Sequence, residues 1–374
     1  MSDGEKAYSR LAPSFLPSTG VLEMTYRCNH KCLFCSCPWE AEGNGFPRYD
    51  ELATREWKDC ILKLCQMGVC NLAFTGGEPL LKEDILDLVA FAASCTTEHV
   101  ETKDGSLVSW EAPPKLYLLS NGRAMTDAVL DTCRKFDVNL SMSLPGLRTF
   151  EYHTQGGDPN PILEWFRKAH EAGVRTTVNT TVTKKNLHEL YETIAEGLLA
   201  GADTLLMNRF LPGGRGISHA DELCLSIEEI VTMLDTAEEV LRTANRYGSV
   251  GTELPKCIVD PTRYEHLSVG TRCSAALDFF VIGPSGYVRT CNHSPVRLEH
   301  VREIEKVKDN PYWKRFVFKD YLPKACSGCG EMLHCDGGCR EAAHIVGGEV
   351  DSVDPVLRGT ELPARRRRSA DVAA

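Results

Sequence analysis

Cys28, Cys32 and Cys35 stand in the run Arg27-Cys-Asn-His-Lys-Cys-Leu-Phe-Cys-Ser36, a CxxxCxxC spacing. Three thiolates so spaced can hold three irons of a cubane cluster and leave the fourth without a protein ligand, whereas a cluster built only for electron transfer normally takes four cysteines. An open iron is a place for a substrate or cofactor to bind. The competing readings are a zinc knuckle and three buried cysteines. Zinc sites usually pair one CxxC unit with a second CxxC or a histidine pair.

Other residues could do chemistry beside such an iron. Gly76-Gly77-Glu78-Pro79 offers glycines that let backbone approach a ligand and a carboxylate that can meet an ammonium group, although the same run is also a good turn. Ser120-Asn121-Gly122 and Ser141-Met142-Ser143 supply hydroxyl and amide groups able to hydrogen-bond ribose or carboxylate. Asn179, Asn208-Arg209 and Gly213-Gly214-Arg215-Gly216 are further polar candidates, for each of which a turn or a surface hydrogen bond is an equal alternative. Towards the C-terminus the chain reads Cys273, twelve residues, Gly286, four residues, Cys291, and then Cys326-x2-Cys329-x5-Cys335-x3-Cys339. A zinc ribbon would not need this many thiols.

These residues need a scaffold that brings them together. A strand at 21–26 delivers the cysteine loop, a helix follows at 54–67, and a buried strand at 69–74 leads into Gly76. The alternation continues with helix 84–93, strand 116–119, helix 126–136, strand 138–143, helix 161–172, strand 174–182, helix 187–200, strand 204–208 and a long helix at 227–247. Six such units predict an α/β fold, a partial (β/α)6 TIM-like barrel whose strand C-termini and functional loops share one rim. The stretch 97–114 is long and polar and reads as a surface insertion, or else a lid. The expected division is an N-terminal arm at 1–20, the barrel at 21–250, a cysteine-rich extension at 251–355 with helical periodicity at 301–318, and a basic tail at 356–374 carrying Arg365 to Arg368.

Bulk composition narrows the function. The 374 residues are 43% hydrophobic and 25% charged, as in ordinary folded proteins, with a net charge of −10 that offers no field for nucleic acid. No apolar run is long enough to cross a bilayer and no signal peptide precedes Cys28, so a cytoplasmic location is expected. Seventeen cysteines in a reducing compartment point to metal rather than disulfides.

The CxxxCxxC run followed by GGEP one strand later resembles the radical S-adenosylmethionine (SAM) superfamily. The resemblance implies that Cys28, Cys32 and Cys35 ligate a [4Fe-4S] cluster whose open iron chelates the amino and carboxylate groups of SAM. An electron from the cluster then cleaves SAM to a 5'-deoxyadenosyl radical that abstracts hydrogen from the substrate. It further implies SAM contacts from Phe34, Gly76, Gly77, Glu78, Pro79, Ser120, Asn121, Ser141, Ser143, Asn179 and Arg209. Related enzymes often have Ser-Leu-Asp-Gly where this chain has Ser143-Leu144-Pro145-Gly146, so any role of that Asp is absent.

The C-terminal pattern is similar to the SPASM extension, which carries two auxiliary [4Fe-4S] clusters. By that resemblance Cys257, Cys273, Cys291 and Cys339 hold one, and Cys326, Cys329 and Cys335 the other. The family pattern closes with one more cysteine that this chain lacks after Cys339. The second cluster therefore takes a non-cysteine ligand, with His344, Asp351 and Asp354 in the right segment, or keeps an open iron. Of the remaining cysteines most read as core, while Cys37 is either structural or a substrate-facing thiol.

SPASM enzymes characteristically modify peptides, so the expected function is radical modification of a ribosomally made peptide by crosslink, thioether or epimerisation. The alternatives are dehydrogenation, decarboxylation or rearrangement of a small metabolite and, outside enzymes, an iron-sulfur electron carrier or scaffold. In sulfatase maturation an Asp follows the cysteine matching Cys291. Here it is Asn292, which cannot act as a base, and His293 beside it is more often structural. A flavodoxin- or ferredoxin-type reductant is expected as partner. Many peptide-modifying relatives carry an N-terminal leader-recognition domain, but only 27 residues precede Cys28 here, so the expectation is that a separate leader-peptide-binding protein recognises the peptide, that the barrel binds it directly, or that the substrate is small.

Overall fold

Six parallel strands, each followed by a helix, form the centre of the computed structural model, which describes residues 15–43 and 46–358. In chain order they are β1 (Thr19–Glu23), α1 (Thr54–Gln66), β2 (Asn71–Thr75) and α2 (Ile85–Ser94), then a hairpin of β3 (Thr97–Lys103) and β4 (Ser106–Ala112). The series resumes with β5 (Lys115–Ser120), α3 (Asp127–Lys135), β6 (Asn139–Ser143), α4 (Phe150–Thr154), α5 (Asn160–Glu171), β7 (Thr176–Val182), α6 (Leu190–Leu199) and β8 (Thr204–Arg209). It closes with the short α7 (Ala220–Leu223) and the long α8 (Ile227–Ala244). Every one of the twelve elements predicted for the barrel is present, with ends shifted by a few residues. The first 14 residues of the expected arm and Arg365 to Arg368 of the expected tail lie outside the described residues.

The local sequence accounts for these boundaries. Trp57, Ile61 and Leu64 recur at helical spacing on α1 and are buried, and Gly68, at φ 84°, breaks the chain after the helix. Thr126 caps α3 by accepting a hydrogen bond from Val129 N at 3.3 Å. Ser226 and Glu229 form a reciprocal capping box at the start of α8.

The sheet runs β10-β9-β8-β7-β6-β5-β2-β1-β11-β12, where β9 is Tyr247–Val250, β10 Leu267–Val269, β11 Phe279–Ile282 and β12 Val288–Arg289. All neighbours are parallel except β11 and β12. The barrel is open, since β1 pairs with β2 and β11 rather than with β8. The expected boundary near residue 250 does not interrupt the sheet, because β11 of the cysteine-rich segment extends it beside β1. A buried ion pair between Glu23 and Arg289 ties the same two regions together. Beyond β12 a 3₁₀ run at Val301–Asp309 gives way at Asn310-Pro311 to α9 (Pro311–Val317), and α10 (Arg340–Gly347) starts immediately after Cys339.

Strand periodicity sorts the barrel residues. Leu140 and Met142 of β6, Val178 and Val182 of β7, and Leu205 and Met207 of β8 are buried in the hydrophobic core. The residues between them, Ser141 and Ser143, Asn179 and Thr181, and Asn208, line a central cavity of about 720 Å³. A closed barrel of this kind fills its interior with branched apolar side chains. Here the interior is hollow and largely apolar with a few placed hydroxyl and amide groups, the character of a ligand site.

The 97–114 stretch is a two-stranded hairpin, paired from Thr97↔Ala112 to Lys103↔Ser106. Its Asp104-Gly105 turn, at φ 51° and 78°, is the positive-φ pair that a tight hairpin requires. None of its residues lines the cavity.

Candidate active site and thiol clusters

The loop after β1 presents Cys28, Cys32 and Cys35 to the cavity, each partly exposed there. Neighbouring backbone holds it on two sides. Lys31 N and Leu33 N donate to Thr154 O and His153 O of α4, at 3.3 and 2.9 Å. From the turn after β8, Gly216 N donates to Cys35 O at 3.0 Å and Arg215 Nη1 to Cys32 O at 3.1 Å. A side chain on Gly214 would stand 2.4 Å from Cys37 O and 2.6 Å from Cys35 O, so the Gly-Gly-Arg-Gly turn clasps the loop from below. Phe34 lines the cavity with its ring 5.8 Å from that of His153.

The GGEP segment makes close contacts within the protein. Gly77 N and Glu78 N donate to Thr25 O and Arg27 O, at 2.9 and 2.8 Å. A Cβ on Gly77 would sit 2.2 Å from Arg27 O, so glycine is required for contact with the entry to the cysteine loop. Gly77 also lines the cavity, while Gly76, Glu78 and Pro79 do not. The Glu78 carboxylate is fully buried and accepts from Ser120 Oγ at 2.8 Å, Asn121 N at 2.7 Å and Leu80 N at 3.1 Å. Burial pushes its pKa up to about 7 against those three donors.

Ser120, Asn121, Ser141, Ser143, Asn179 and Arg209 all line the cavity, as do the three loop thiols. Asn121 Nδ2 bonds Asn29 Oδ1 at 2.8 Å and approaches Cys28 Sγ at 3.7 Å. Among the described residues, His30 Nε2, Ser141 Oγ and Thr252 Oγ1 are buried without a hydrogen-bond partner, and all three residues border the cavity. Buried polar atoms are ordinarily satisfied, so these await a partner from a bound molecule or water.

Burial raises Cys28 and Cys32, and their neighbours' negative charge raises both further, while the Arg215 guanidinium opposes this at Cys32. Cys35 is lowered, chiefly by a hydrogen bond from the Cys37 thiol. Cysteine thiolates are the donors that an iron-sulfur cluster takes, so the donor set of this loop fits one. Cys37 lines the cavity, with its own thiol held towards Gly76 O at 3.8 Å.

The C-terminal cysteines fall into two groups. Cys273, Cys291 and Cys339 are buried and line the central cavity together with Glu253 and Glu341. Cys257, expected with them, stands instead at the surface by Cys335, Cys326 and Cys329; desolvation of its thiol, and next the charges of these neighbours, raise its pKa to about 11. The segment before β10 carries Cys257 outward, a course that sequence spacing does not encode. The three residues considered as a missing ligand of Cys326, Cys329 and Cys335 are engaged elsewhere. His344 bonds Tyr312 and Glu341, Asp351 pairs with Arg315, and Asp354 pairs with Arg209 and accepts from Cys339 N at 2.7 Å.

Glu253, Glu341, Thr252 and Arg215 were not singled out by the sequence reading; no motif marks the first three, and Arg215 was read only as part of a glycine-rich turn. His293 is half-buried, and desolvation lowers its pKa. Its Nε2 lies 3.0 Å from Pro212 O, which fits a neutral ring donating to that carbonyl.

A hollow parallel (β/α)6 sheet with three thiols on the loop after β1 and a Gly-Gly-Glu-Pro segment after β2 is the arrangement of a radical SAM enzyme. The Radical SAM superfamily profile matches residues 22–196, and this part of the chain is a domain of that superfamily. The chain is 25% identical over 347 residues to a PqqA peptide cyclase of Granulibacter bethesdensis, covering 91% of this chain and 87% of that protein. It is 26% identical over 381 residues to the PqqA peptide cyclase of Xanthomonas campestris pv. campestris, with 95% and 90% covered. Among solved structures it resembles Streptococcus suis SuiB bound to its precursor peptide SuiA, at TM-score 0.69 and 16% identity over 96% of this chain and 80% of that one. It also resembles native anSMEcpe with bound AdoMet, at TM-score 0.68 and 14% identity over 91% and 94%. Among the described residues no helix is long and apolar enough to cross a membrane.

Proposed function

We propose that this chain is a radical SAM oxidoreductase that covalently modifies a precursor peptide, and that it carries two auxiliary [4Fe-4S] clusters besides the SAM-binding one. The observation that carries this reading is that Cys28, Cys32 and Cys35 share one cavity with Cys273, Cys291 and Cys339. A substrate in that cavity would lie between two thiol-bearing walls. Full-length relatives named as peptide cyclases, and the likeness to a protein solved with its precursor peptide, support a peptide as substrate and ring closure or crosslinking as its modification.

When bound, the cluster and SAM supply an electron and the abstraction of a substrate hydrogen. The protein's part is placement. Cys28, Cys32 and Cys35 would hold the cluster, Arg215 would offset thiolate charge beside Cys32, and the Gly77 backbone and Asn121, which line the same cavity, would border SAM. Ser141, Ser143 and Asn179 offer hydrogen bonds to its polar groups from the strand ends. Glu78 acts one step back: by accepting from Ser120 Oγ and Asn121 N it fixes the end of β5 against the cysteine loop.

The same reading takes a flavodoxin- or ferredoxin-type reductant as partner, a cytoplasmic setting, and a separate protein that presents the leader of the peptide. The test is anaerobic reconstitution and reduction with SAM, with and without short peptides encoded near its gene. The expected result is 5'-deoxyadenosine formation, and a peptide that loses two hydrogens by mass spectrometry. Absence of 5'-deoxyadenosine from an iron-replete sample would overturn the enzymatic reading. Turnover with a metabolite and no peptide change would overturn the substrate.

A further inference from the structure

The C-terminal cysteines divide in space differently from their order in the chain. Cys273, Cys291 and Cys339 line the central cavity, whereas Cys257, Cys326, Cys329 and Cys335 do not. Two contacts fix Cys257 beside the outer three. The backbone N–H of Lys256 donates to Cys335 Sγ at 3.4 Å, and Lys256 Nζ pairs with Glu331 Oε2 at 2.7 Å, within the loop between Cys329 and Cys335. On the far side of that loop Gly337 N also donates to Cys335 Sγ at 3.4 Å, and a Cβ on Gly337 would lie 3.4 Å from Cys326 Sγ. The thiols whose charge bears on Cys257 are Cys335, Cys326 and Cys329. Those that bear on Cys273 are Cys339 and Cys291.

We propose that Cys257 completes a four-thiolate site with Cys326, Cys329 and Cys335, and that Cys273, Cys291 and Cys339 hold the inner cluster with three thiolates, its fourth corner on the cavity beside Glu253. This rests on the reading that the chain carries two auxiliary clusters. It also removes the need for a cysteine after Cys339, since the fourth thiol of the outer site comes from upstream. A site closed by four thiolates can pass electrons but not bind substrate. The exposed Cys257 places that site towards the surface, where a reductant can reach it. The inner site has the opposite character. Its three thiols are buried, and the carboxylate of Glu253, whose Oε1 accepts from Ser274 N at 3.0 Å, is the charge that acts most strongly on Cys273 and Cys339. Its fourth corner can therefore take an oxygen ligand from Glu253 or a donor from the substrate.

The test uses full-length protein in which Cys28, Cys32 and Cys35 are all replaced by Ala, so that only auxiliary iron remains. That background should bind about eight irons per chain after reconstitution, and adding Cys257→Ala, Cys326→Ala or Cys273→Ala should each remove about four. The decisive readout is the electron paramagnetic resonance spectrum of the reduced protein. The residual signal of Cys257→Ala should superimpose on that of Cys326→Ala and differ from that of Cys273→Ala. Cys257→Ser, which keeps a ligand in place, should shift the midpoint potential of the signal that Cys326→Ala abolishes and leave the other unchanged. This second arm decides the matter if Cys257→Ala does not fold. A residual spectrum matching Cys273→Ala, or full iron with both potentials unchanged in the Cys257 variants, overturns the assignment. A background that binds no iron refutes the auxiliary clusters themselves, a separate and distinguishable failure.

Discussion

Arg209 and Asp354 are joined by two parallel hydrogen bonds, Nη2 to Oδ2 at 2.6 Å and Nη1 to Oδ1 at 3.1 Å, and both side chains are buried. Arg209 ends β8 and borders the cavity, while Asp354 also accepts from Cys339 N and Val356 N. The pair thus fastens the barrel rim to the segment that carries one of the inner thiols. Removing one partner of a buried ion pair strands the other charge at a cost of about 3–5 kcal/mol, whereas replacing both with apolar residues is often nearly neutral. Asp354→Ala should therefore lower stability by about that amount, and Arg209→Met with Asp354→Leu should recover a large part of it. Denaturant unfolding of the cluster-free protein checks this; a double variant as unstable as Asp354→Ala would show that the pair does not act as a unit.

Glu78 gives the stability a pH dependence of known sign. Its folded pKa is raised from 4.5 to about 7 by burial, so between those values the native state binds more protons than the unfolded chain. The stability it contributes is full below pH 4.5, falls as pH rises towards 7, and changes no further above that. Glu78→Gln should flatten the slope in this window. It should also cost about 1–3 kcal/mol, because an amide NH₂ would face Ser120 Oγ or Asn121 N, one of which is left without an acceptor. Unfolding midpoints measured across this pH window in both proteins decide it, and parallel curves would contradict the assignment.

What the sequence disclosed and what it hid follow from the range of the interactions. Helix and strand periodicity is local, and so Trp57, Ile61 and Leu64, or Leu140 and Met142, revealed the barrel elements directly. The Cys28-Cys32-Cys35 loop was legible because its ligand spacing lies within one turn of chain. The placement of Cys257 was not, because it depends on where Lys256 meets Cys335, 79 residues away. The partners of Glu78 were hidden for a related reason: its carboxylate accepts from Ser120 and Asn121, 42 and 43 residues on, and a motif describes only its own neighbours.

Ser141 has a hydroxyl that is buried, borders the cavity and lacks a partner among the described residues. If it serves SAM, its removal costs the protein nothing and the complex one hydrogen bond, worth about 0.5–1.5 kcal/mol. Ser141→Ala should keep the thermal midpoint at or slightly above the parent's while weakening SAM binding by roughly 2- to 12-fold. Equilibrium binding of SAM to the reconstituted protein measures it. A drop in stability with unchanged SAM affinity would make the hydroxyl structural.

Gly77 meets the cysteine loop at a point where nothing can yield. A Cβ there would stand 2.2 Å from Arg27 O and 3.0 Å from Tyr26 O, both backbone atoms, in the segment that leads directly into Cys28. Flexible side chains can swing away from an intruding methyl, but here either the Gly77 segment or the loop must move. Gly77→Ala should therefore cost about 1–3 kcal/mol, as overpacking does. It should also displace Cys28 enough to reduce iron binding at the loop, measured after Cys273, Cys326 and their companion cysteines are replaced. Gly270→Ala is the control, since a Cβ there meets nothing within 4 Å, and it should leave stability and iron content unchanged. Full loop iron in Gly77→Ala would mean that the close approach of these two segments does not position the thiols.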